Sequence, residues 1–328
     1  MVIHCLIESC ESLLILIIMK VALFGSSGLL GSAVKEALGR RGHQCMTFSF
    51  RASCEEEITF CLKSHDQVIR ELFDAWPDAV VNCAAISSPV SVKQNPDYAF
   101  SINVDRAVNL AEVTSHLGAR FLHVSTDMVF DGSSAPYRST DLPNPLNEYG
   151  RQKLESEKRV LRVTEENLVV LRITLLNGNS PSGRRSQHEK ILRDLSQNKT
   201  VVLYGDEIRQ PCSSDNVASA IVELLERPNL NGLFHWAGKE EISRYELGLR
   251  ILDRFGLSRD RVVEGSLENS ELKRPRHLSF ELSPLLGKII TQPVSIDDQI
   301  QELFLPNDLY SWYRKNAEDL SRYIHRIK

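Results

Sequence analysis

No stretch of this 328-residue sequence is apolar for long enough to cross a bilayer. The strongest candidate, Leu13 to Met19, is seven residues, or twelve positions to Phe24 if Lys20 is allowed inside. A spanning helix needs roughly 20. A secretory signal is equally poorly served. The flank carries Glu8 and Glu11 but neither Lys nor Arg, and cleavage near Gly31 would destroy the strand that precedes it. The chain also lacks a long basic block. Its 39 Lys and Arg stand against 43 Asp and Glu, which removes the electrostatic footprint of a nucleic-acid binder. The seven cysteines (5, 10, 45, 54, 61, 83 and 212) make no C-x-x-C pair and no regular framework. Reduced thiols and a cytoplasmic location are therefore expected, without a disulfide scaffold or a zinc site. His43, His65 and His235 have no carboxylate or cysteine at metal-ligand spacing, so no metal is expected. His123, inside an apolar strand, reads as a satisfied core histidine. There is no internal repeat and no low-complexity segment.

From residue 20 onward, short apolar runs alternate with helical stretches. The runs are Val21–Phe24, Gln44–Phe50, Ala79–Asn82, Arg120–Ser125 and Leu168–Ile173. The helical stretches are Ser32–Arg41, Asp66–Ala75, Tyr98–Leu117 and Tyr149–Val163. That rhythm predicts βαβ units, hence an α/β fold with a doubly wound parallel sheet and helices on both faces. After Thr174 the rhythm changes to a polar Gly/Ser-rich loop, a helix and the short strand TVVLYG. The segment NGLFHWAG reads as a return to the sheet. The expected organisation is an extension outside the fold at 1–18, a dinucleotide-binding unit at 19–175, a smaller C-terminal substrate lobe at 176–304 and a helical tail at 305–328. In that tail Leu309, Trp312 and Tyr313 share one helical face, suited to core or dimer packing.

Three motifs carry chemistry. Gly25-Ser-Ser-Gly28-Leu-Leu-Gly31 lies between a strand and a helix. Glycines there let the backbone turn sharply and approach a pyrophosphate seated on the helix N-terminus. The contact set is Gly25, Ser27, Gly28, Leu29, Leu30 and Gly31. Beyond the second strand an NAD site usually presents an acidic residue to the ribose. Here the strand ends Phe48-Ser49-Phe50-Arg51, with no carboxylate until Glu55. The planar fork of Arg51 suits a 2′-phosphate, so NADP is the expected cofactor, with NAD the alternative. The second motif, Tyr149-Gly-Arg-Gln-Lys153, puts a phenol and an ammonium on one helical face. A nearby cation favours the phenolate and makes the phenol a better proton donor, which suits carbonyl reduction. The third, Ser125-Thr126-Asp127, ends a strand, where such folds bind ligands, and offers a hydroxyl to the same carbonyl oxygen.

Together these residues resemble the extended short-chain dehydrogenase/reductase family, and within it the dTDP-4-dehydrorhamnose reductase group. The resemblance is carried by MKVALFGSSGLLG, PDAVVNCAA, INVDRAVNLA, HVSTDMVFDG, PLNEYGRQKLESE, LRI, NGLFHWAG and KRPRHLSFELS, spread from about 19 to 300. It implies a Rossmann domain with a catalytic set falling on Thr126, Tyr149 and Lys153, with Asp127 beside it. It also implies cofactor contacts from Asn82, Ala84 and Ala85, and from Lys153 to the nicotinamide ribose, with Asn103 at the family's helix asparagine position. Family members of this kind tend to begin Met-Lys, as Met19-Lys20 does here, which places 1–18 outside the fold.

The sequence departs from that pattern on the substrate side. It reads Cys61-Leu-Lys63 where the family often has an aspartate near the adenine. It reads Arg172-Ile-Thr-Leu-Leu where a tryptophan is usual, and Asp206-Glu-Ile-Arg-Gln-Pro211-Cys for Asp-Gln-x-Gly-x-Pro-Thr. Lys273, Arg274, Arg276 and His277 form a basic patch that either faces a nucleotide diphosphate or is a solvated loop. The leading expectation is an NADP-dependent reductase of a nucleotide-linked 4-keto-6-deoxysugar. One alternative is a cofactor-binding regulatory subunit resembling the methionine adenosyltransferase β subunit, docked on a catalytic partner through the last 20 or so residues. Another is a nucleotide-sugar epimerase, which would normally prefer NAD. A homodimer is the remaining partner expectation.

Overall fold

The computed structural model describes residues 18–49, 60–61, 65–164 and 166–324. The chain opens with β1 (Lys20–Phe24), α1 (Leu29–Arg40), β2 (Gln44–Ser49), β3 (Phe60–Cys61), α2 (His65–Ala75) and β4 (Ala79–Asn82). Then come α3 (Pro89–Gln94), α4 (Pro96–Phe100), a π-helical turn (Ser101–Asp105), α5 (Arg106–His116), β5 (Arg120–Thr126), α6 (Glu148–Val163) and β6 (Leu168–Ile173). A seven-stranded sheet runs β3-β2-β1-β4-β5-β6 and ends on β11 (Gly232–Trp236), every pairing parallel. This is the doubly wound Rossmann order, with its switch point between β1 and β4.

Successive strand residues point to opposite faces, so each strand feeds two cores. Val21 and Leu23 of β1 join Val81, Leu122, Val169 and Leu171 under α1, against which Val217, Ala218 and Ile221 of α8 (Ser214–Leu225) pack. Ala22 and Phe24 face the other way, with Val80, Phe121 and Val170, toward Leu72 of α2 and Ala107, Leu110 and Ala111 of α5. Phe24 and Phe48 stack there with ring centroids 4.5 Å apart.

After β6 the chain leaves the sheet through β7 (Leu176–Asn177), α7 (Gln187–Ser196), β8 (Val201–Tyr204), β9 (Ile208–Arg209) and β10 (Cys212–Ser213). It passes through α8, re-enters as β11 beside β6, and leaves again. Past β11 lie β12 (Ile242–Ser243), α9 (Arg244–Phe255), β13 (Val262–Gly265), β14 (His277–Leu278), α10 (Ile296–Gln301) and α11 (Tyr310–Asn316). A second core joins Ile191 and Leu192 of α7 to Leu247, Ile251 and Phe255 of α9 and to Ile296 and Ile300 of α10. Leu309, Tyr313 and Tyr323 belong to this core, and the Leu305 N–H donates to the Tyr323 hydroxyl at 2.9 Å. The apolar face read in the tail is thus spent inside the lobe.

Two departures from the sequence pattern bear on the site. The helix expected at Tyr98–Leu117 is interrupted by the π-helical turn that carries Asn103, a local widening that periodicity does not reveal. The first helix begins at Leu29, three positions earlier than expected, because Gly28 adopts the extended N-cap conformation (φ −81°, ψ 170°). Among the described residues no helix is long and apolar enough to cross a membrane. Cys45, Cys83 and Cys212 are free thiols. The extension at 1–17, Arg51 and Lys63 lie outside the described residues.

Candidate functional site

The glycine turn is built for close approach. Gly25 has φ +84°, which favours glycine, and a Cβ there would stand 2.8 Å from the Ala84 nitrogen. A Cβ on Gly31 would collide with the Gly25 carbonyl. Gly28 donates to that same carbonyl at 2.9 Å. No side chain caps α1 and no acidic residue sits in its first turn, so the positive end of the helix faces the turn uncovered. Ser27 is exposed at the rim, Leu29 is half-buried, and the Leu30 side chain goes into the core. Ala84 and Ala85 are half-buried across the switch point. The uncapped N-terminus of α1 behind this turn fits a dinucleotide pyrophosphate, because such a helix end favours an anion.

The second half of the site lies where β5 ends. Thr126 caps a tight turn: its hydroxyl accepts from the Met128 N–H at 3.2 Å and donates to Asp127 Oδ1 at 3.1 Å. The start of α6 is fixed by Asn147, whose Oδ1 accepts from the Gly150 N–H at 3.0 Å. Gly150 then lies so close to the Met128 carbonyl that any Cβ would clash with it. That contact brings Tyr149 against Thr126 and Asp127, all three buried. Burial pushes the Tyr149 phenol above its usual value and the Asp127 charge raises it further, while a hydrogen bond with Thr126 opposes both. The sequence led to a lowered phenol. The structure corrects this, because the Lys153 ammonium is turned toward β5 and takes no part among the groups acting on Tyr149. Burial likewise pushes Asp127 up to about 6, against the pull of Arg209 and Thr126 and with a push from Glu207.

Lys153 is buried, and its Nζ donates to the Val124 carbonyl at 2.8 Å and lies 3.1 Å from His123 Nε2. Burial lowers it to about 8, against an upward pull from Glu157. Asn82 accepts from the Ala84 N–H through Oδ1 at 3.1 Å and places Nδ2 3.2 Å from His123 Nδ1. Asn103 is buried and hydrogen-bonded on both sides of its amide. Its Oδ1 accepts from the Ile86 N–H at 2.8 Å, and its Nδ2 donates to the Ile86 carbonyl and to Gln152 Oε1. It braces the loop after β4, and the π-helical turn is what aims it there.

The lobe presents Glu207, Arg209 and Arg244, which the sequence did not single out as site residues, beside Arg274 of the basic patch. Arg209, on β9, donates to Glu207 at 2.9 Å and to the Pro275 carbonyl at 2.9 Å. The charges of Arg209 and Arg244 both act on Asp127 across the gap between lobe and sheet. Arg274 lies 3.6 Å from Glu207 and 5.8 Å over the Tyr204 ring. Several buried polar atoms in this region have no protein partner: Glu207 Oε2, Arg274 Nε, Asn147 Nδ2 and both amide atoms of Gln187. The departure at 207 and 209 was the available signal. Of the basic patch, Arg276 pairs with Asp206 and Glu268 and His277 with Glu241, leaving Arg274 as the member directed at Glu207. Among the described residues, no group of three or more His, Cys, Asp or Glu side chains could hold a metal ion.

Residues 19–306 match the family described as the RmlD substrate binding domain. Among curated proteins, the chain is 34% identical to methionine adenosyltransferase 2 subunit beta of Bos taurus, over 81% of each chain. It is 30% identical to the probable low-salt glycan biosynthesis reductase Agl14 of Haloferax volcanii, covering 84% of this chain and 94% of that one. Among solved structures, dTDP-4-dehydrorhamnose reductase of Bacillus anthracis in complex with NADP superposes with a TM-score of 0.76. The identity is 22%, covering 87% of this chain and 98% of that one, and the likeness is one of fold.

Proposed function

We propose that this chain, which belongs to the RmlD substrate binding domain family of extended short-chain dehydrogenases/reductases, binds NADP(H) and reduces the ketone of a nucleotide-linked 4-keto-6-deoxysugar. The observation that carries the reading is the packing of Tyr149 against Thr126 and Asp127, with Lys153 one helical turn on. The glycine turn would hold the pyrophosphate, and NADPH bound there would supply the hydride. Tyr149, kept protonated by burial, gives its proton to the ketone oxygen. The Thr126 hydroxyl polarises that oxygen. Groups of this kind contribute typically ~10²–10⁴-fold each. Arg274 and the unpartnered Gln187 amide offer a cation and hydrogen bonds to the nucleotide end of the substrate.

A second reading is favoured by the relative of Bos taurus, a subunit of a methionine adenosyltransferase that is similar along most of both chains. On that reading the protein is a dinucleotide-loaded regulatory subunit that keeps the Tyr149–Lys153 pair for binding. NADPH oxidation against dTDP- and GDP-linked 4-keto sugars tests the first reading. Wild type should turn over and Tyr149→Phe should lose at least a hundredfold in kcat. Tight NADPH binding with no ketosugar reduced, together with co-elution with a methionine adenosyltransferase catalytic subunit, would overturn it in favour of the second.

A further inference from the structure

His123 sits where three hydrogen-bonding neighbours meet, and their chemistry fixes its proton. Asn82 Oδ1 is occupied by the Ala84 N–H, so the NH2 of the same amide faces His123 Nδ1 at 3.2 Å. Nδ1 must therefore accept, which puts the ring proton on Nε2. At Nε2 the ring meets Ser156 Oγ at 3.1 Å. That hydroxyl gives its own hydrogen to the Lys153 carbonyl at 2.9 Å, so it accepts from Nε2. Lys153 Nζ lies 3.1 Å from the same nitrogen. It thus faces an N–H and not a lone pair.

We propose that His123, held in its Nε2–H tautomer by Asn82, is a positioning residue that disfavours the ammonium form of Lys153 and sets the charge this lysine brings to the cofactor end of the site. An ammonium at this position has one acceptor, the Val124 carbonyl, and one opposing donor. A neutral amine can accept from His123 while still donating to Val124. The other groups facing Lys153 are Glu157 from its own helix and Cys83 from the end of β4. Glu157 is committed to Arg172 and Ser125, and burial keeps the Cys83 thiol up at about 12, neutral throughout the working range. Burial also holds His123 well below the usual imidazole range, so its tautomer persists across the pH span in which Lys153 titrates. The functional consequence rests on the reductase reading, but the tautomer and the titration do not.

The test is NMR on the full chain, with 15N-labelled histidine and lysine carrying 13C at Cε, the Lys153 signal being assigned by its loss in Lys153→Gln. His123 should show an unprotonated Nδ1, and Lys153 should titrate near pH 8. In Ser156→Ala the Nε2–H keeps one acceptor, the neutral lysine amine, so the midpoint should fall by about one pH unit, a tenfold change. A protonated Nδ1 in the wild type overturns the proposal. So does a Lys153 midpoint that is unmoved or raised in Ser156→Ala, since the other tautomer leaves the lysine bond untouched. Neither readout requires turnover, so failure of the reductase reading and failure of this one are separate results.

Discussion

Asp127 is a carboxylate whose charge the fold opposes, and its removal should stabilise the protein. It is buried, with its usual value of 3.8 raised to about 6 chiefly by burial. A carboxyl raised in the folded state binds more protons there than in the unfolded chain between these two values. Stability therefore falls as pH rises through that window and stays reduced above it. The shift amounts to about 3 kcal/mol at pH 7.5, and about half of that at pH 5. Asp127→Asn keeps an oxygen to accept from Thr126 and removes the charge. Arg209 is not left bare, since it retains Glu207 and the Ile208 and Pro275 carbonyls. Thermal unfolding at the two pH values is the assay. The variant should melt about 5–10 °C above the wild type at pH 7.5, and the gain should be roughly halved at pH 5. A gain that does not depend on pH, or a loss at pH 7.5, would refute the argument. Asp127→Asn should also lower turnover if the carboxylate serves the reaction.

Gly31→Ala should force the first turn apart, because its Cβ meets the Gly25 carbonyl. Fluorescence titration should show NADPH affinity falling at least tenfold, with a cost of ~1–3 kcal/mol in stability; unchanged affinity would count against the cradle. Deleting residues 307–324 with the rest of the tail removes Tyr313 and Tyr323 from the lobe core. Each such aromatic is worth about 3–5 kcal/mol, so limited proteolysis should cut the lobe quickly, whether or not a partner is bound. Resistance equal to that of the full chain would restore the tail to the role of a free docking element.

The sheet was legible in the sequence because its strands are buried on both faces and read as continuous apolar runs between amphipathic helices. Gly25 and Gly31 were legible because a close approach admits no other residue. The dispositions of Asn103 and His123 were not. Asn103 is aimed by a π-helical turn, and a single extra residue in a helix leaves too weak a mark on periodicity to read. His123 is indeed a satisfied core histidine, but its partners, Asn82 at the end of β4 and Lys153 and Ser156 on α6, come from two parts of the chain that only the folded sheet brings together. The lowering expected for Tyr149 failed for a related reason. Helical spacing puts Lys153 on the same face, but the buried Val124 carbonyl captures its ammonium.

The parallel return of β11 beside β6 has a mechanical consequence. The polypeptide leaves the sheet at Thr174, returns through α8, and leaves again just after Trp236, so two of its crossings start from adjacent strands. Both crossings are fastened to one short segment of the lobe: Thr174 donates to the Gln210 carbonyl, and a Cβ on Gly238 would strike the Pro211 carbonyl. Two adjacent strands thus fix the position of Gln210 and Pro211, the segment that follows Arg209, relative to the sheet.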